Sequence, residues 1–250
     1  MRLAGAVALI TGGSSGIGAA TAGALAGAGA RTLIAGRDRR RLDAVAAQTG
    51  GLALQADLAA PGGAAELVSA ALAAAGRVDL LVSNAGVGWA GAIGQLSEAR
   101  ARELVAVNLT APMQLTALLA PGMVTRGSGH FAFVSSIAGT TGVRGEAAYA
   151  ASKAGLGSFA ESLRYELADS GVGVSVVVPG VVDTPFFERR GTPYHRSKPV
   201  PIAAERVAAA IVAAAARDRQ VVFVPRWMQV PFWLHGAAPA TFRFLAARFG

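Results

Sequence analysis

The chain has 250 residues, is 53% hydrophobic and 15% charged, and carries a formal net charge of +8, enough length and apolar content for one domain with a full core. It has no cysteine, which excludes disulfides, thiolate chemistry and cysteine metal sites, and His130, His195 and His235 are too scattered for a zinc site, so no metal is expected. The basic residues are dispersed apart from the run Arg37 to Arg41, so the positive charge does not read as a nucleic-acid footprint.

Residues 1 to 10 lead straight into a glycine turn and read as a first strand rather than a signal peptide. No apolar run approaches the ~18–20 residues that span a membrane, so a cytoplasmic location is expected. Ala6 to Ile10 is short and apolar, with β-branched Val7 and Ile10, the pattern of a buried strand. Thr11-Gly12-Gly13-Ser14-Ser15-Gly16-Ile17-Gly18 follows, then a helical stretch to about Ala28. A glycine turn between a first strand and a first helix lets backbone approach a pyrophosphate, with the helix amides facing the anion.

Arg31 to Ala35 reads as the second strand, ending in Gly36-Arg37-Asp38. In dinucleotide-binding folds this strand end meets the adenosine ribose: an acid there suits the 2′-hydroxyl of NAD, an arginine the 2′-phosphate of NADP. Arg37 comes first and Gly36 precedes it, which favours NADP(H) over NAD(H). The plainer alternative makes Arg37, Arg39, Arg40 and Arg41 a solvated helix start. Leu52 to Gln55 is a third strand, followed by Asp57 and Leu58; Asp57 suits either an adenine amino group or the cap of a helix starting near Pro61. Asp79 to Ser83 is a fourth strand, ending in Asn84-Ala85-Gly86. Ser97 is the expected N-cap of a helix to about Leu119, and Asn108 lies inside that helix, where a back-bond is the ordinary reason for it. His130 to Ser135, Gly173 to Val178 and Gln220 to Val224 complete seven strands. Alternation with helices of this size gives a parallel, doubly wound sheet with helices on both faces.

The fifth strand ends at Ser136, where open α/β sheets bind ligands. Beyond it, Ala147 to Leu167 is proline-free and helix-prone. Tyr149 and Lys153 stand one turn apart there, on one face. A phenol titrates near ~10 and is a poor proton shuttle at neutral pH, and a neighbouring ammonium is expected to lower that value. Alone, the pair equally suits a half-buried tyrosine beside a surface lysine.

The motifs occur together. Thr11-Gly12-x-x-x-Gly16-x-Gly18, Asn84-Ala85-Gly86, Asn108, Ser136, Tyr149-x-x-x-Lys153 and Pro179-Gly180 have an order and spacing that resembles the short-chain dehydrogenase/reductase family over about residues 4 to 225. The resemblance implies a Rossmann-type fold and an NAD(P)-dependent exchange between an alcohol and a ketone or aldehyde. It implies Tyr149 as acid/base, Lys153 as its electrostatic partner and a holder of the nicotinamide ribose, and Ser136 on the reacting oxygen. Asn108 would hold a water linking Lys153 to solvent. Gly12, Ser14, Ser15, Gly16, Ile17, Gly18, Arg37, Asp57, Leu58, Asn84, Ala85 and Gly86 would bind the cofactor, with Tyr149, Lys153, Pro179, Gly180, Val182 and Thr184. A homodimer or homotetramer is implied. The competing reading is a catalytically silent scaffold or sensor that binds NADP.

Residues 185 to 201 carry four prolines with Phe186, Phe187 and Tyr194, the pattern of a substrate lid. Arg189, Arg190, His195, Arg196 and Lys198 either favour an acidic substrate group or are solvated charges on a mobile loop. Residues 1 to 225 read as the dinucleotide-binding and catalytic unit, and 226 to 250 as its extension. From Phe223 onward lie seven of the sixteen aromatics, with Arg226, Arg243 and Arg248 and no acid. This tail suits three roles: a wall of an apolar substrate pocket, an oligomer contact, or a peripheral membrane contact. Pro231 and Pro239 rule out one long helix through it.

Overall fold

The computed structural model describes residues 1–195 and 197–249, with side chains as far as 246; Arg196 and the Arg248 side chain lie outside what is described. Seven strands form one parallel sheet: β1 (Val7–Thr11), β2 (Arg31–Gly36), β3 (Leu52–Gln55), β4 (Leu80–Ser83), β5 (Gly129–Val134), β6 (Val172–Pro179) and, later in the chain, β9 (Val221–Val224). Their order is β3-β2-β1-β4-β5-β6-β9, so the winding reverses between β1 and β4. Two two-residue strands, β7 (Val182–Asp183) and β8 (Ile202–Ala203), pair separately and were not expected. Together they anchor both ends of the lid.

The central strands are mostly apolar and buried because both faces are covered. Successive residues alternate between two cores. Val7 and Leu9 of β1 face one core with Phe131 and Phe133 of β5, while Ala8 and Ile10 face the other with Ala132 and Val134. On the first face lie helices α3 (Gly63–Ala75), α5 (Ala111–Thr125) and α7 (Ala147–Glu166). On the second lie α1 (Gly16–Gly27), α2 (Arg39–Thr49) and α9 (Ala204–Arg217). The doubly wound parallel architecture expected from the sequence is the one observed.

Several boundaries differ, for local reasons. Ser97 caps α4 (Glu98–Val105), accepting from the Arg100 amide, but the helix continues past Leu119 to Thr125, carrying Pro121 inside it. A wide π turn over Ala106–Thr110 joins α4 to α5 and contains Asn108. The whole Glu98–Thr125 unit is long and apolar enough to cross a membrane by length and composition, yet 44% of its apolar window is buried inside the protein. Asp57 does not cap the following helix. α3 starts only at Gly63, with Gly62 at its cap, and the Asp57 carboxylate turns back to accept from the Ala59 amide. In the tail, α10 (Gln229–Ala237) takes Pro231 in its first turn and α11 (Pro239–Phe249) starts on Pro239, where a missing N–H costs nothing.

Candidate active site

A cleft of about 1460 Å³ opens along the C-terminal ends of the strands, from the first glycine turn to the lid and tail. At its floor, the turn after β1 is held shut by hydrogen bonds. Thr11 Oγ1 accepts from the amides of Asn84 and Ala85 at 3.1 and 3.0 Å, and Asn84 Nδ2 donates to the Thr11 carbonyl at 3.0 Å. Gly12 and Gly16 sit at φ +65° and +54°, and a Cβ on either would lie 2.8 Å from Ala85 Cα or 2.9 Å from the Thr184 methyl. A Cβ on Gly18 would run into the Gly12 carbonyl. Ser15, at the start of α1, makes no side-chain cap, so among the described residues no N-cap side chain takes up the first amides of that helix, which starts at the cleft. Bare backbone and uncapped helix amides beside a wide cleft fit an anionic dinucleotide.

Arg37, Asp38 and Arg41 line the cleft at the end of β2. The Asp38 carboxylate is committed: it caps α2 through the Arg41 amide at 3.0 Å and pairs with the Arg41 guanidinium at 3.1 Å. Arg37 reaches Glu103 only at 3.9 Å. The acid here serves the helix, and Arg37 is left to the cleft. Asp57 and Leu58 line the same end.

Tyr149 and Lys153 stand on one face of α7, both buried, with Ser136 across from them at the end of β5. Burial pushes the phenol up to about 12; a hydrogen bond with Ser136 pulls the other way, Glu146 adds to the rise and Arg190 opposes it. Burial brings the Lys153 ammonium down to about 8. The expected lowering of the phenol is therefore not what the protein alone displays. Desolvation outweighs nearby charge, and Lys153 Nζ is turned to the Val134 carbonyl at 2.9 Å. Ser135, not foreseen from the sequence, donates to the Lys153 carbonyl at 3.1 Å and ties α7 to β5.

Asn108 makes no back-bond. Its carboxamide pairs with Val87 in both directions, accepting from N–H and donating to C=O at 2.9 Å each, and also donates to Ser152 Oγ at 3.0 Å. It thus pins the loop after β4 to α7. Asn108 and Gly18 are packed away from the cleft surface; every other residue singled out from the sequence as catalytic or cofactor-binding lines it, Gly86, Pro179, Gly180 and Val182 included.

Of the lid charges, Arg189 and Arg190 are engaged, while His195 and Lys198 are exposed. The lid's short helix α8 (Phe186–Arg189) sets the Phe186 ring 5.6 Å from that of Tyr149 and against Gly88. The Arg190 side chain is largely covered, bonds Glu146 at 2.6 Å and stacks on Phe187. Arg189 donates to Ser15 Oγ at 3.0 Å, at the glycine turn. His195 and Lys198 line the cleft. The tail closes the far end: Met228 packs on the bare face of Gly180, and Trp227, Pro231, Phe242 and Leu245 line the wall. Yet Trp227, Trp233 and Phe244 are 54%, 63% and 67% exposed, so part of the aromatic surface faces outward.

The short chain dehydrogenase family model matches residues 6–194. An uncharacterized oxidoreductase of Myxococcus xanthus is 41% identical over 180 residues, 70% of this chain and 71% of that one. Ketoacyl reductase HetN of a Nostoc species is 38% identical over 72% of this chain, which spans 64% of the relative's length. Among solved structures, a short-chain dehydrogenase from Sphingobium yanoikuyae in complex with NADPH superposes with a TM-score of 0.82 at 31% identity, covering 94% of this chain and 96% of the other. A metagenomic short-chain oxidoreductase in complex with NADP gives 0.75 at 37% identity, covering 89% and 96%.

Proposed function

The chain belongs to the short-chain dehydrogenase/reductase family of NAD(P)-dependent oxidoreductases, and from that premise we propose an NADP(H)-preferring reductase of apolar ketones, working through Tyr149, Ser136, Lys153 and Asn108. The observation that carries this reading is one cleft, with the buried Tyr149–Lys153 face at one end and the glycine cradle and Arg37 at the other. Bound there, the nicotinamide supplies or accepts the hydride. Ser136 hydrogen-bonds the substrate oxygen and fixes its distance from Tyr149. A phenol held up near 12 keeps its proton at neutral pH and is ready to give it to a carbonyl oxygen, which favours reduction. The buried Lys153 ammonium stabilises the phenolate left behind and holds the nicotinamide ribose. Asn108 keeps the α7 face and the β4 loop in register, beside the route by which Lys153 draws a proton from solvent.

Two observations support the cofactor preference: Asp38 is occupied by its helix cap, and Arg37 has only a distant partner. An aromatic rim of Phe186, Trp227 and Phe242 supports a hydrophobic substrate. We assign residues 1 to 225 to the catalytic unit and 226 to 250 to its extension, in a cytoplasmic homodimer or homotetramer. Exposed Trp227, Trp233 and Phe244 beside Arg226 and Arg243, with no acid in the tail, support peripheral contact with an anionic membrane surface.

The test is consumption of NADPH and NADH by the purified protein with a panel of cyclic and long-chain ketones. Turnover with NADPH supports the reading; binding of NADPH with no turnover on any member favours the silent scaffold. Sedimentation with anionic vesicles, with and without residues 226 to 250, tests the tail.

A further inference from the structure

Adjacent lid arginines point to opposite ends of the cleft. Arg190 runs to Glu146 at the start of the Tyr149 helix, while Arg189 runs to Ser15 at the first turn of α1. Ser15 Oγ has no cap bond to make, so it is free to orient a guanidinium. Among the described residues Arg189 has no carboxylate partner within ion-pair distance. Arg37 and Arg41 line the same end of the cleft, and of the acids there Asp38 is spent on Arg41 and the α2 cap. Glu188, next to Arg189 in the chain, lies close enough to feel its charge without pairing with it. Three guanidiniums thus line one end of the cleft together, with Asp38 held by Arg41 and Glu103 3.9 Å from Arg37.

We propose that Arg189 completes a 2′-phosphate site with Arg37 and Arg41, so that the phosphate distinguishing NADP(H) from NAD(H) helps hold the lid seated over substrate. The inference rests on the NADP(H) reading and extends it: specificity comes partly from the lid, not only from the end of β2. Arg189 behaves as a crowded cation. Burial lowers its proton affinity most, Arg41 and Arg37 lower it further, and Asp38 and Glu188 only partly offset them. A phosphate among the three would remove that repulsion and accept charge-assisted hydrogen bonds. Because Arg189 and Arg190 share a backbone, seating one also seats the largely covered Arg190–Glu146 pair beside Tyr149.

The experiment measures binding of NADPH, NADH, 2′,5′-ADP and 5′-AMP to the full chain by calorimetry. Arg189→Ala should lose about tenfold or more affinity for NADPH and 2′,5′-ADP, the worth of one charge-assisted contact, while NADH and 5′-AMP change by less than about twofold. NADP⁺ should protect the Phe186–Phe187 bonds from chymotrypsin in the wild type and not in the variant. Arg189→Gln guards against misfolding, checked by an unchanged melting temperature, and Arg189→Lys should keep part of the preference. A variant that retains the wild-type NADPH-to-NADH ratio, or loses both cofactors equally, overturns the role of Arg189 alone. A wild-type protein that binds NADH as tightly as NADPH overturns the cofactor reading and this inference with it.

Discussion

The two ends of the cleft are built by different means. The cofactor end rests on strand termini and tight turns: the glycine cradle is closed by backbone and Asn84, with no room for a Cβ. The other end, proposed to take substrate, rests on the lid and tail, where aromatic rings touch one another and water, and where Trp233 is 63% exposed. Structure at the first end is imposed by the sheet, whereas at the second it depends on a few side-chain contacts. Chemistry and cofactor recognition should therefore follow the first end, and choice of substrate the second.

The largest effect should come from Tyr149→Phe. Loss of the proton donor is expected to cut turnover about a thousandfold or more, with NADPH affinity preserved; a variant at wild-type rate would end the acid/base assignment. A pH test probes the sheet itself. His130 in β5 is buried against Ser175 at 2.8 Å and its imidazole is held down to about 4 by burial, against a slight upward pull from Asp218. The unfolded chain therefore takes up the extra proton. Stability should be full above about pH 6.5 and fall as pH drops towards 4, by up to roughly 3 kcal/mol. Chemical denaturation across that window should show the slope in the wild type and a flatter one in His130→Gln.

At the other end, Phe186→Ala should raise KM for apolar ketones about tenfold, the worth of one aromatic contact, with NADPH affinity unchanged. If it weakens NADPH as much as ketone, the division between the ends fails. The smallest effect is expected from Trp233→Ser: less than twofold on turnover of a soluble ketone, but a measurable loss of binding to anionic vesicles. No loss of vesicle binding would return that surface to an oligomer contact.

The same division decides what could be read from the chain. The glycine turn, Asn84-Ala85-Gly86 and the Tyr149–Lys153 spacing are short-range patterns whose meaning survives without coordinates. Arg189 on Ser15, Arg190 on Glu146 and Met228 under Gly180 join residues far apart in sequence, and no spacing announces them. The direction of the Tyr149 shift is hidden from the sequence for a related reason. A helical turn shows that lysine is near, but the cost of burying the hydroxyl depends on Phe186 and the surrounding core, which come from elsewhere in the chain. Asp57 was half legible: an acid after a strand invites a cap, but Gly62 had already taken that place.

The π turn at Ala106–Thr110 behaves like a spacer in a gear train. Winding the same five residues at ordinary α pitch would spin α4 by roughly 80° relative to α5. Leu104 would leave the small apolar cluster it shares with Tyr149, and the Asn108 amide would swing away from Val87. A stretch that tolerates conservative exchanges at its outer positions should therefore resist any change that tightens it to α pitch, so the width of the turn rather than its composition is the guarded quantity in this segment.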